Sequence, residues 1–307
     1  MEIVAPARRR VGAPSLDPRL DVLVRPDGRI QLGWSPERAI LVAPPHGATP
    51  TGFADFLRTI DGARTRPQLV WDAARLGFDP RATARLLDVL TRAGALLAPA
   101  PPRECPTVRV HGRGPLSDAI AAALTATGTI VSRSTRYPID RDARRWRERC
   151  VVLTDASVVD PRLVHDLVAA GIPHLHVRLR DGGGLVGPFV LPGRTACLRC
   201  VELVRAELDT GWPHLAAQLV DRSGRATPPV VTTTVAVALA QLDLAFRGAA
   251  DRPPASFDAT LEIDDGGQRI DTRHWARRDD CSCAWARALP GRSHALSDQS
   301  IGTFSPP

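Results

Sequence analysis

The chain has 307 residues, which is long enough for two domains with separate cores, and its 44% hydrophobic and 24% charged residues are typical of a globular protein. The basic residues total 40 against 33 acidic ones, and all 40 are arginine because the sequence contains no lysine. This excludes a Schiff-base lysine, a P-loop lysine and a lysine that acts as a base of lowered pKa.

The N-terminal third predicts three strands followed by three helices. The stretch 20–34 is typical of a hairpin around Pro26, Asp27 and Gly28, and 38–43 forms a third apolar run. The helices are predicted over 52–60, 66–76 and 80–93. Asp79 as N-cap and Pro80 at the first helical position mark the start of the third helix.

These patterns predict five segments in chain order. They are a flexible arm over 1–15, a winged-helix-like domain over 16–98, a proline-rich linker over 99–106, an α/β domain over 107–290 and a flexible tail over 291–307.

Residues 107–290 alternate strand and helix patterns, which favours a parallel, Rossmann-like sheet. The glycine run 181–187 is expected to be a tight turn between strands, and 143–149 is compatible with a helix. The apolar run 230–246 contains Asp243 and four threonines or glutamines, so a buried helix fits it better than a membrane span. No secretory signal is visible at the start, and we therefore expect a cytoplasmic protein.

A glycine turn follows the first strand of the α/β domain. Gly112 and Gly114 have the spacing of a dinucleotide-binding turn, but Ser117 stands where the third glycine is expected. Pro115 removes a backbone donor, and no acidic ribose ligand follows, although Arg133 could receive a 2′-phosphate. We expect a degenerate structural turn without a nucleotide cofactor, and an active nucleotide site is the alternative.

Four of the six cysteines form two close pairs. Cys197 and Cys200 are spaced as C-x-x-C, and Cys281 and Cys283 as C-x-C. Two such pairs can supply the four thiolates of a structural zinc site, which leaves no open position for catalysis. A redox C-x-x-C motif is the alternative, but its usual position is directly after an early strand.

The segment "GGGLVGPFVLPGRTACLRC", with its distant second cysteine pair, resembles the ThiF and ubiquitin-activating superfamily. More narrowly, "VLPGRTACLRCVELVRAELDTGWPHLAAQL" is similar to the ocin-ThiF-like, or F-type, proteins of azole-forming (TOMM) peptide biosynthesis. The pattern D-x-x-W-P-x-L-x-x-Q-L, which starts at Asp209, is the specific part of this match, and the likeness extends over nearly the whole chain.

The resemblance implies a PqqD-like recognition element at the front and an adenylating-type domain without catalysis at the back. The front module would bind the leader of a ribosomal precursor peptide as an added strand. The protein would deliver that peptide to a YcaO-type cyclodehydratase, and homodimers are common in the superfamily. The implied peptide-binding residues are Ile40, Leu41, Val42, Arg81, Arg85 and Arg92.

Three readings of the sequence are therefore open. A non-catalytic peptide-binding protein is the one we favour, and no nucleic-acid or membrane partner is expected. An active ThiF-type adenylating enzyme would need ATP, yet the ribose acid and the lysine are missing. A winged-helix DNA-binding regulator would use the arginines of the third helix, but the net charge is only +7.

Overall fold

The structure is a computed structural model, and it describes residues 13–97, 106–138, 142–220, 222–247 and 252–284. Most of the expected N-terminal arm and linker, the whole expected tail, Cys105 and Trp285 lie outside these ranges. The chain forms two compact units, residues 1–104 and 105–307, and each is described by itself.

The first unit contains a three-stranded antiparallel sheet, a second pair of short strands and three helices. The elements are β1 Ser15–Leu16, β2 Val22–Val24, β3 Ile30–Leu32, β4 Ile40–Val42, α1 Pro50–Arg58, α2 Arg66–Arg75, α3 Pro80–Arg92 and β5 Leu96–Leu97. The order in the larger sheet is β2-β3-β4, so β4 is one of its edges, and β1 pairs with β5. The three predicted strands and three predicted helices are therefore present, and the β1–β5 pair was not predicted.

Local sequence signals explain where the helices begin. The Asp79 carboxylate accepts a hydrogen bond from the backbone N–H of Ala82 at 2.7 Å, which confirms the predicted N-cap of α3. Thr49 caps α1 in the same way through Gly52 at 3.1 Å. Losing such a cap typically costs about 1 kcal/mol of stability.

One buried cluster joins the sheet and the helices of the first unit. The rings of Phe53, Phe56 and Phe78 pack together with centroid distances of 5.7 to 6.5 Å. Val42 of β4 and Leu87 of α3 belong to the same cluster. The unit therefore has a hydrophobic core of its own.

The second unit is a mixed α/β fold around a seven-stranded sheet. Its strands are β6 Thr107–His111, β7 Ile130–Ser134, β8 Cys150–Thr154, β9 His174–Arg180, β10 Gly183–Val190, β11 Ala259–Ile263 and β12 Ile270–His274. Its helices are α4 Pro115–Ala126, α5 Pro161–Ala169, α6 Leu198–Leu208, α7 Trp212–Leu219 and α8 Pro228–Arg247, with a short 3-10 turn at Ala143–Arg145. The strand order is β12-β11-β10-β9-β8-β6-β7.

The expectation of a parallel, Rossmann-like sheet is correct for four of the seven strands and wrong for three. β7, β6, β8 and β9 are parallel, whereas β10, β11 and β12 are antiparallel. The reason is a two-residue hairpin between β9 and β10, in which Asp181 and Gly182 both have positive φ. The remainder of the glycine run, expected to be a turn, forms the start of β10.

The glycines in β10 allow a helix to approach the sheet closely. A side chain at Gly184 would collide with Thr234 of α8. α8 covers the same sheet face as α4, and α5 and α6 belong to the cluster on the other face. The predicted helix over 143–149 is likewise wrong, because only residues 143–145 form a single 3-10 turn.

α8 is the one helix in the described part of the chain that is long and apolar enough to cross a membrane, with a mean hydropathy of 1.5. Val230, Val235 and Leu242 of this helix are buried in the core beside the sheet. The expectation of a buried helix at this place is confirmed.

Candidate functional site

The four paired cysteines meet in one cluster of the second unit. Their sulfur atoms all lie within 4.8 Å of one another. The Sγ–Sγ distances are 3.7 Å for Cys197–Cys200, 3.7 Å for Cys197–Cys281 and 3.6 Å for Cys200–Cys283. Sulfurs at the corners of a tetrahedron with metal–sulfur bonds of about 2.3 Å are separated by about 3.8 Å, so these cysteines fit a tetrahedral metal ion.

The fold brings the two cysteine pairs together from distant parts of the chain. Cys197 is the N-cap residue of α6, Cys200 lies in the first turn of that helix, and the other pair follows β12. In the chain the first pair lies between β10 and β11, so two strands of the sheet separate it from the second pair.

The protonation of the cluster is strongly coupled. A hydrogen bond from the Cys197 thiol lowers the pKa of Cys200 to about 5. The same hydrogen bond raises the pKa of Cys197, and burial raises the pKa of Cys283 to about 12. Because metal ions bind cysteine as the thiolate, a bound cation would favour deprotonation of the cluster.

The glycine turn is filled by an internal carboxylate. Asp155, which follows β8, accepts hydrogen bonds from the backbone N–H groups of Leu116 at 3.1 Å and Ser117 at 2.9 Å. These donors belong to the first turn of α4, where a phosphate would bind in a nucleotide site. Burial raises the pKa of Asp155, since it outweighs the lowering by the two backbone hydrogen bonds.

The two glycines of this turn are explained by contacts within the chain. A side chain at Gly112 would collide with the backbone of Thr154, and one at Gly114 would collide with Asp155. Arg133 donates hydrogen bonds to Ser117 and Asp118. A cavity of about 570 Å³ still opens beside the turn, with Arg113, Arg136 and Arg162 in its wall.

In the first unit, the backbone pattern shows what β4 exposes. Gln31 of β3 lies opposite Leu23 of β2. Backbone hydrogen bonds join Gly33 to Asp21 and Arg25 to Arg29 on either side of this pair. The odd-numbered residues of β2 therefore direct their backbone N–H and C=O groups toward β3. The alternation of an antiparallel ladder then directs Ile40 and Val42 toward β3 and turns the N–H and C=O of Leu41 outward. The Leu41 side chain is 44% exposed.

The other edge of this sheet is partly covered. Nη2 of Arg58 donates a hydrogen bond to the carbonyl oxygen of Val22 at 2.8 Å. The outward carbonyl of Val22 therefore has a partner within the chain, whereas β4 pairs with no strand other than β3 among the described residues.

The three arginines expected to bind peptide lie on one exposed face of α3. Arg81, Arg85 and Arg92 are exposed, and none is ion-paired among the residues that the structure describes. Val89 lies on the same face and is 47% exposed. α3 and β4 both pack against the core of the first unit, whereas the three arginine side chains are exposed to solvent.

A row of buried polar side chains on β9 was not predicted from the sequence. His174, His176 and Arg178 share one face of this strand, and each is at most 4% exposed. The Nε2–H of His176 donates to the carbonyl of Ala156 at 2.9 Å, so its Nδ1 accepts a hydrogen bond from Nη1 of Arg178 at 2.7 Å. In "HLHVRLR" polar and apolar residues alternate, which could have indicated this row. The same alternation is typical of a strand whose polar face is exposed to solvent, so it does not predict burial.

The charge state of this row follows from its burial. Burial lowers the pKa of His176 well below its usual range and that of Arg178 to about 9. At neutral pH the histidine is therefore neutral, as its hydrogen bonds require, and the arginine remains charged.

Comparison with solved structures shows a shared fold. A heterocyclase described in complex with substrate and cofactor has a TM-score of 0.62 at 13% identity, over 88% of this chain and 39% of its own. The heterocyclase TruD has a TM-score of 0.58 at 18% identity, over 89% of this chain and 42% of its own. Escherichia coli MccB, solved with ATP, has a TM-score of 0.54 at 12% identity, over 88% of this chain and 99% of its own.

The chain has the fold of these proteins. At such low identity the likeness extends to the fold alone. The chain spans about two fifths of the heterocyclases but nearly the full length of MccB. No protein-family model and no curated protein sequence matches it.

Proposed function

We propose that this protein binds the leader region of a ribosomal precursor peptide and delivers the peptide to a YcaO-type cyclodehydratase in TOMM biosynthesis. The observation that carries the proposal is the open edge of β4, which offers the outward N–H and C=O of Leu41 to an added strand. The first unit would then act as a PqqD-like, winged-helix recognition element. The expected setting is the cytoplasm.

The face of α3 supplies a reason for selectivity. Arg81, Arg85 and Arg92 are exposed without carboxylate partners among the described residues, and Val89 adds an apolar contact. Such a surface suits a leader that combines acidic and apolar side chains, because arginine binds carboxylates through two parallel hydrogen bonds. Leu41 and the three arginines are therefore proposed to contact the peptide. Ile40 and Val42, which pair with β3, would hold the docking strand in place.

The chain corresponds in fold to about two fifths of each heterocyclase chain. We propose that it contributes peptide recognition and that a YcaO-type cyclodehydratase carries out ring formation.

The second unit is proposed to be catalytically inactive and to bind no ATP. Asp155 occupies the start of α4, where a phosphate would need the same N–H groups and would meet a negative charge. The metal of the cysteine cluster is proposed to be zinc, because four thiolates at tetrahedral spacing match its preferred coordination. Its role would be structural.

An adenylating enzyme is the second candidate. It is favoured by the likeness to MccB over 99% of that chain, since MccB was solved with ATP, and by the arginine-lined cavity beside the glycine turn. Calorimetry with ATP separates the two candidates. Saturable ATP binding, or ATP–pyrophosphate exchange with added peptide, would contradict the inactive assignment.

The binding proposal is tested by fluorescence polarisation with the full chain. The probe is a labelled synthetic leader peptide. Its sequence is taken from a short precursor gene that lies, together with a YcaO gene, beside the gene of this protein. We expect a Kd of about 1 μM or below and little binding of a scrambled peptide of the same composition. Equal binding of the two peptides, or of neither, would contradict leader recognition.

A further inference from the structure

A large cavity in the second unit lies apart from the glycine turn. Its volume is about 1130 Å³, which is the size of small-molecule binding sites. Its walls come from α5, α6 and α7, from β9 and from the cysteine cluster, and apolar side chains predominate. Val164, Val168, Val201 and Ala217 are among them.

One buried charge in this wall has no direct ion-pair partner among the described residues. Arg178 is 4% exposed and lines the cavity, and no carboxylate in the described part of the chain forms an ion pair with it. Its one hydrogen bond to another side chain goes to His176, which is neutral and lines the cavity beside it. An arginine has five N–H donors, so most of its hydrogen-bonding capacity is unused.

Glu202 lines the same cavity, but both of its carboxylate oxygens already have partners. One oxygen accepts a hydrogen bond from Nε1 of Trp212 at 2.5 Å. The other oxygen faces Arg205 at 3.4 Å. Glu262, the other carboxylate near Arg178, is paired with Arg180 and Arg273. Neither glutamate makes a direct ion pair with Arg178 in the described part of the chain.

His176 fixes the direction of the arginine. Its ring is anchored by the Ala156 carbonyl at 2.9 Å, and its other nitrogen holds Nη1 of Arg178. A guanidinium held in this way costs little further entropy when it binds an anion. The arrangement is that of a preorganised anion anchor in an apolar chamber.

We propose that this cavity binds a carboxylate with an apolar body, with Arg178 as the anchor of the carboxylate and the wall of α5, α6 and α7 around the apolar part. The source of the ligand is either a free organic acid or a peptide that ends in an apolar residue with a free carboxylate. This site is independent of the leader site proposed on β4 and α3.

The test uses the full, metal-loaded chain and two pairs of probes in isothermal titration calorimetry. Decanoate is compared with decanol, and an acetylated tripeptide of two leucines and a C-terminal phenylalanine is compared with its amide. We expect the carboxylate of at least one pair to bind about tenfold or more tightly than its neutral partner. The pair that shows the difference identifies the source.

Arg178→Gln is the matching variant, because glutamine keeps an N–H donor for His176 but loses the charge. It should weaken carboxylate binding about tenfold and leave decanol binding unchanged. Arg199→Gln is the control, since Arg199 is an exposed arginine in the same wall. It should change carboxylate binding by less than about twofold, as expected for an exposed charge.

Three outcomes would overturn the proposal. They are no binding of either carboxylate, equal binding of carboxylates and neutral partners, and unchanged carboxylate binding in a folded Arg178→Gln variant. If a segment of the chain itself fills the cavity, the first outcome is observed. If the variant does not fold, the comparison of charged and neutral probes on the native chain still tests whether the cavity prefers a carboxylate.

Discussion

At the scale of single residues, Asp155 replaces the anion that a glycine turn of this type would otherwise bind. Its two oxygens accept from Leu116 and Ser117 (3.1 and 2.9 Å). In Asp155→Asn, one backbone N–H would face an amide N–H instead of an oxygen, and a buried donor would lose its partner. We expect the free energy of unfolding of the second unit to fall by about 1–3 kcal/mol, measured by urea denaturation.

Asp181→Asn is the control for this change. Asp181 also has a positive φ, but its side chain is exposed at the β9–β10 hairpin. The same substitution should therefore alter stability by less than about 0.5 kcal/mol. Equal effects of the two variants would show that the Asp155 carboxylate does not stabilise the start of α4.

At the scale of elements, the proposed peptide site depends on one edge strand. Leu41→Pro removes an N–H group that points away from β3, so the β3–β4 ladder can remain intact while an added strand loses a donor. We expect leader binding, measured by fluorescence polarisation, to weaken about tenfold or more.

Val24→Pro on β2 gives the matched control. Val24 also has its N–H turned away from β3, and its side chain is 45% exposed, but it lies on the edge that Arg58 partly covers. Leader affinity should stay within about twofold of the native value, since this edge is not the proposed docking strand. A larger loss in Val24→Pro than in Leu41→Pro would place the peptide on the opposite edge.

The sequence predicted those elements whose signals are local. Asp79 and Pro80 mark the start of α3. The two cysteine pairs predicted a metal cluster because a tetrahedral metal ion needs four ligands, although Cys197 and Cys281 are 84 residues apart. The predicted tight turn between β9 and β10 forms at Asp181 and Gly182. The glycines after it were not predicted as strand, because the close approach of Gly184 to α8 is a contact that no local pattern encodes. The Asp155 contact joins residues 38 and 39 positions apart, which no local pattern encodes.

At the scale of the whole molecule, two units with separate cores allow stability and peptide binding to be changed independently. The cysteine cluster contributes only to the core of the second unit, and the proposed peptide site lies on the first. Cys197→Ser should abolish metal binding, measured by mass spectrometry of metal content. It should also lower the stability of the second unit by several kcal/mol, on the order expected when a structural zinc is lost.

The control for metal loss is Cys150→Ser. Cys150 is fully buried in β8 but lies outside the cluster, so this variant should retain the metal. Both variants should bind the leader peptide within about twofold of the native affinity, because the cluster and the proposed peptide site belong to units with separate cores. A selective loss of leader binding in Cys197→Ser would show that the metal-bound unit takes part in peptide recognition, and it would contradict the division of labour proposed for the two units.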